Sequence, residues 1–174
     1  MADETPRTKK RKFDNGDEAV QKLVGSPLLR TPHKILGEVR AAAAEDTQNE
    51  GESLKQSSKA IQALCSCVVA MANDDDPEDA KNVLKSLLDE KIDPNYVDED
   101  IIRKVGGSPL YLAAKLDVPT AASLLLKAGA SLVQGNEEET PIEAAIRLDH
   151  AGVCQIMFDH IENMEMKVFE PAKK

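Results

Sequence analysis

From Ser57 onward, apolar residues return every three to four positions, the spacing that lines one face of a helix; residues 1–57 show no sustained pattern of that kind. Ser57 or Ser58 can cap a helix through about Ala72. Asp76-Pro77-Glu78-Asp79 then supplies a cap, a first-turn proline and two first-turn acids for a helix reaching about Leu88. These two form a helical hairpin, followed by a polar turn from Lys91 to Asp98. Ser108-Pro109 opens a second hairpin, whose second helix spans about Pro119 to Lys127, with Gly129 free to take the left-handed conformation that ends a helix. A third opens at Thr140-Pro141-Ile142-Glu143, where the threonine can accept the N3 amide and Glu143 can reach back to the cap amide. Its second helix runs from about Ala151 to Asn163.

The two later hairpins follow one recipe 32 residues apart, Ser108-Pro109-Leu110-Tyr111-Leu112-Ala113-Ala114 and Thr140-Pro141-Ile142-Glu143-Ala144-Ala145-Ile146. A unit of this size cannot bury its apolar face alone, so copies stack into a solenoid whose long surface suits other proteins. The expected fold is all-α.

At these residues the chain resembles an ankyrin-repeat protein. The family's Thr-Pro-Leu-His-x-Ala-Ala opening stands here as Ser108 to Ala114, and its Leu-Leu-x-x-Gly-Ala-Asp helix end as Leu125-Leu126-Lys127-Ala128-Gly129-Ala130-Ser131. A degenerate earlier copy ends Leu87-Leu88-Asp89-Glu90-Lys91-Ile92-Asp93-Pro94-Asn95. The resemblance covers roughly residues 58–163 and implies about three repeats, with a C-terminal tail over 164–174. Tyr111 and Glu143 replace the usual histidine, so the hydrogen bonding it provides is changed or absent. Lys91 and Ile161 stand where a helix-ending glycine is typical. Lys91 to Gly129 spans more than the family's period of about 33, which implies an insertion around Asp98 to Gly106.

Formal charge is −9. Residues 1–57 carry 10 Lys/Arg and 10 Asp/Glu, so the whole deficit lies in the repeat-bearing part, which repels phosphate backbones and favours basic partners. Direct nucleic-acid binding is not expected. The three cysteines, Cys65, Cys67 and Cys154, have no framework spacing, and no apolar N-terminal run resembles a secretory signal, so a reducing compartment is expected. No stretch reaches the roughly 18 apolar residues needed to cross a bilayer.

Residues 1–57 are rich in Pro, Gly, Ser, Thr and charge, and are expected to be mostly disordered. Within them, Pro32 suits a first helical position, and Ile35, Leu36, Val39 and Ala43 would line one face of a short helix over 33–44. Lys9-Lys10-Arg11-Lys12 is similar to a nuclear-import signal read by an import receptor, the alternative being a merely solvated charged tail. Thr31-Pro32-His33-Lys34 has the form of a proline-directed kinase site; Ser26 and Thr5 are weaker relatives.

Three acidic runs stand out: Asp74 to Asp76, Asp98-Glu99-Asp100 and Glu137-Glu138-Glu139. In an ankyrin stack the last two fall in successive inter-repeat fingers on one side, an edge suited to a Lys/Arg-rich segment such as a basic peptide or histone tail. Partner-binding residues expected from position are Tyr96, Asp98, Asp100, Tyr111, Glu137 and Glu139. No catalytic, metal or cofactor set is expected. Cys65 and Cys67 lie about 200° apart on a helix, neither His150 nor His160 has a second histidine four residues away, and no third residue can be placed to support a pair of Cys154 with a histidine. The reading is a non-enzymatic nuclear adaptor or regulator; the alternatives are a resemblance to ankyrin-type inhibitors of cyclin-dependent kinases and a structural or chaperone-like subunit.

Overall fold

The computed structural model describes Gly37 and residues 58–73, 77–97, 106–136 and 138–168. Outside them lie the expected disorder of 1–57, the import run, the phosphorylation candidates and residues 98–105 of the insertion. Of the 33–44 segment, Gly37 alone is described, and it is helical and exposed.

Six helices carry the described chain: α1 (Ser58–Ala72), α2 (Pro77–Asp89), α3 (Pro109–Lys115), α4 (Pro119–Lys127), α5 (Pro141–Arg147) and α6 (Ala151–Val168). No strand occurs among the described residues. The helices pair as hairpins, α1 with α2, α3 with α4 and α5 with α6. α3 packs between α1 and α5, while α4 touches both α2 and α6, so inner and outer helices form two stacked rows. The fold is the all-α solenoid that the repeated recipe implied.

One continuous core joins the rows. Leu64, Leu84, Leu87, Leu112, Leu125, Val153 and Met157 are fully buried in it, and each such side chain contributes roughly 1.5–3 kcal/mol. Ala113, Ala114, Ala144 and Ala145 are also fully buried. Having no bulk beyond Cβ, they let neighbouring helices approach to about 8–10 Å.

The inner helices start as their sequences dictate. Ser108 Oγ accepts the Tyr111 amide, and Thr140 with Glu143 completes a reciprocal capping box. Helix ends reuse one geometry with different residues. Lys91, Asp117, Gly129 and Asp149 all take left-handed φ values, of 61°, 52°, 91° and 57°. After α4, the Ala130 and Gly129 amides donate to the Leu125 and Leu126 carbonyls; after α5, the His150 and Asp149 amides donate to Ala145 and Ile146 in the same way. Lys91 thus does the work of the glycine expected at its position.

The last helix differs from expectation. It continues through Ile161 to Val168 rather than stopping near Asn163, so part of the expected 164–174 tail is helical. Met164, Glu165, Met166 and Lys167 are all strong helix formers, and no glycine interrupts them.

Candidate protein-binding surface

The loop between α4 and α5 forms the second finger of the stack, and its shape is fixed from the inner-helix side. Ser108 Oγ donates to the Gln134 carbonyl at 2.5 Å, and the Ser108 amide donates to Gly135 O at 3.4 Å. Asn136 closes the turn: its Oδ1 accepts the Glu138 and Glu139 amides at 2.9 and 2.7 Å, while its own amide donates to Glu139 O at 3.1 Å. Gly135 is required there, because a Cβ would overlap the Glu139 carbonyl oxygen.

Tyr111 reaches this turn from α3. Its hydroxyl donates to Glu139 Oε1 at 2.9 Å and accepts from Asn136 Nδ2 at 3.0 Å. Glu139 is gripped by Arg147 of α5, with Nη2 to Oε1 at 2.6 Å and Nε to Oε2 at 2.9 Å. Those bonds hold the Glu139 carboxyl below its usual range; partial burial opposes them, and the Tyr111 hydroxyl adds to them. Lys115 Nζ lies 5.6 Å from the Tyr111 ring centre.

The first finger is fastened to the second. Asn95 Nδ2 donates to Gly129 O at 2.9 Å, and its Oδ1 accepts the Ser131 amide at 2.7 Å. Asp93 Oδ1 in turn accepts the Asn95 amide at 2.9 Å. On the next layer, His150 Nδ1 sits 2.7 Å from the Ala114 carbonyl.

This geometry engages two of the expected contact residues within the fold. Tyr111 is buried, its ring packed beside Gly107 and its hydroxyl engaged by Asn136 and Glu139, so it positions the finger. Glu139 is paired with Arg147 and is no free anion. Tyr96 is half-buried against the core beside Asn95. Glu138 is exposed, as is Val133 at 79%. Asp98, Asp100 and Glu137 lie outside the described residues, as do Asp74 to Asp76.

Asn95, Asn136, Gly135 and Arg147 were not singled out in the sequence. Gly135-Asn136 is a turn signal in its own right and marks the finger's bend; nothing in the spacing of Arg147 announces its reach to Glu139.

The cysteines are not activated. Burial pushes the Cys65 thiol far up, with Cys67 adding to it, and burial followed by the charge of Asp79 pushes Cys67 up to about 12. Cys154, half-buried, is also raised, chiefly by burial. Both α1 thiols act as small apolar fillers. No helix among the described residues is long and apolar enough to cross a membrane.

Stacked helical hairpins with fingers braced by side chains of the neighbouring layer define a repeat solenoid, a class that works by presenting a shaped wall to other proteins. The family model for ankyrin repeats, in three copies, matches residues 67–168, more than half of the sequence, and the chain belongs to the ankyrin-repeat family. Ankyrin repeats are protein–protein interaction modules and are typically non-enzymatic. The chain is also similar to human neurogenic locus notch homolog protein 4, with 45% identity over 53 residues. That match takes in 30% of this chain and spans 3% of the relative's length.

Proposed function

We propose that this protein is a nuclear adaptor or regulator that holds a Lys/Arg-rich segment of a partner along its inter-repeat fingers and inner helices. The observation that carries the reading is the braced second finger, which presents Val133 and Glu138 outward while Tyr111, Asn136 and Glu139 fix its shape from within. A preformed loop loses little entropy on binding. The acidic excess of residues 58–174 favours a cationic ligand, for which Asp98, Asp100 and Glu137 are the expected anionic contacts.

Fluorescence anisotropy with a labelled Lys/Arg-rich peptide, at low and at physiological salt, tests this. Glu137→Lys with Glu138→Lys, leaving the structural Glu139 in place, should weaken binding by about tenfold or more at low salt, and the loss should shrink as salt rises. Unchanged affinity would retire the reading. Nuclear entry through Lys9, Lys10, Arg11 and Lys12 is tested by replacing all four with alanine in a fluorescent fusion and imaging its distribution. Mass spectrometry of the protein from cells reads modification at Thr31, Ser26 and Thr5.

A second reading, a structural subunit of a larger complex, is favoured by the open last layer, where Ile146, Phe158 and Met164 are 58, 46 and 55% exposed. Sedimentation of the purified chain separates the two: a monodisperse monomer supports the adaptor.

A further inference from the structure

The outer side of the last layer is apolar where the end of a repeat stack is ordinarily polar. The period of 32 residues gives each position of this layer a counterpart in the middle repeat. There Leu110, Tyr111, Ala114 and Leu126 are at most 2% exposed, with α5 packed beyond α3 and α6 beyond α4. Of their counterparts, Ile142 is half-buried, Glu143 is exposed, and Ile146 and Phe158 are 58% and 46% exposed. The described elements packed against α5 and α6 are α3, α4 and each other. Among the described residues, three of the four exposed large apolar side chains, Ile146, Phe158 and Met164, belong to this layer.

We propose that this face joins a second copy of the chain in a two-fold dimer, with the α5 helices of the two copies antiparallel. The charge pattern of α5 selects that occupant. Ile142 and Ile146 form one row along the helix, and Glu143 and Arg147 form a second row about 100° round from it. A two-fold axis at the level of Ala145 lays each row against its like and reverses its direction, so Glu143 of each copy stands opposite Arg147 of the other. The same register brings the two Ile146 residues within about 3 Å of each other along the helix axis. An in-register parallel pairing would set like charges against each other. Both charged residues reach the face despite their duties within the chain. Glu143 caps α5 through Oε2 and is exposed, and Arg147 holds Glu139 while 54% of its own side chain stays in solvent. An isologous contact occupies the same face on both copies, so assembly stops at two, and the open layer needs no larger complex to cover it.

Sedimentation velocity on the full chain tests the dimer at physiological salt, where the net charge of −9 on each copy is screened beyond about 8 Å. The mass should rise from one chain towards two as concentration is raised. Ile146→Asp should weaken the pairing by about tenfold or more. Glu143→Lys and Arg147→Glu, each alone, set like charges opposite one another and should weaken it as well. Mixed in equal amounts, those two variants place opposite charges at both contacts again and should recover self-association close to that of the parent, a rescue that misfolded variants cannot give. A single-chain mass at every concentration overturns the dimer while leaving the finger reading intact. Dimers indifferent to Ile146→Asp, species larger than two, or a mixture no stronger than its components overturn it too.

Discussion

The hydroxyl of Tyr111 on α3 and the carboxylate of Glu139, 28 residues further on, meet at 2.9 Å, and this bond sets the shape of the second finger. Tyr111→Phe keeps the buried ring but removes the donor to Glu139 and the acceptor for Asn136. The expected cost is about 1–2 kcal/mol, read as a lower urea midpoint at unchanged slope. Amide exchange should rise at Glu138 and Glu139 before it rises in α4.

Glu139 also makes the finger pH-sensitive. Its folded carboxyl titrates below the ordinary 4.5, chiefly through Arg147, so the unfolded chain binds that proton first as pH falls. The stabilisation is complete above about 4.5 and fades as pH drops through the folded value. Glu139→Gln should therefore flatten the fall in thermal midpoint below that pH and lower stability at neutrality. An unaltered acid limb in calorimetric scans would contradict it.

Gly135 has no room for a side chain. Gly135→Ala drives a Cβ into the Glu139 carbonyl oxygen and crowds Thr140 Cα, both backbone atoms that cannot swing aside. A loss of roughly 2 kcal/mol or more is expected, because the turn must open and release Asn136. Circular dichroism melts of the variant measure it.

Lys91 offers the opposite change. It holds φ 61° at the end of α2, where a glycine carries no Cβ penalty, and its side chain is exposed. Lys91→Gly should stabilise the first repeat by about 0.5–1 kcal/mol, less whatever the freer unfolded chain takes back. A lower thermal midpoint would show that the lysine has a role beyond closing the helix.

Much of the fold was legible because local chemistry and the period agree. Pro77, Pro109, Pro119 and Pro141 mark first turns, and the Thr140–Glu143 box forms as its spacing dictates. Helix ends were less legible. Asp117 and Asp149 adopt a conformation that composition assigns to glycine, and Met164 to Val168 prolong α6 because propensity there outweighs the family's habit of stopping. The surface was the least legible. A tyrosine in place of the usual histidine looked like a contact residue, and only the fold shows that its hydroxyl is spent on the neighbouring turn. Arg147 illustrates the same limit: pairing across eight residues and two elements leaves no periodic trace.

Asn95 bridges Gly129 and Ser131, so the first two fingers share a hinge pin. A guest that tilts one must drag the other with it, and the cost of misfit is levied on both at once. Under the proposed binding mode, such mechanical yoking would favour a guest long enough to span two prongs over one that grips a single tip.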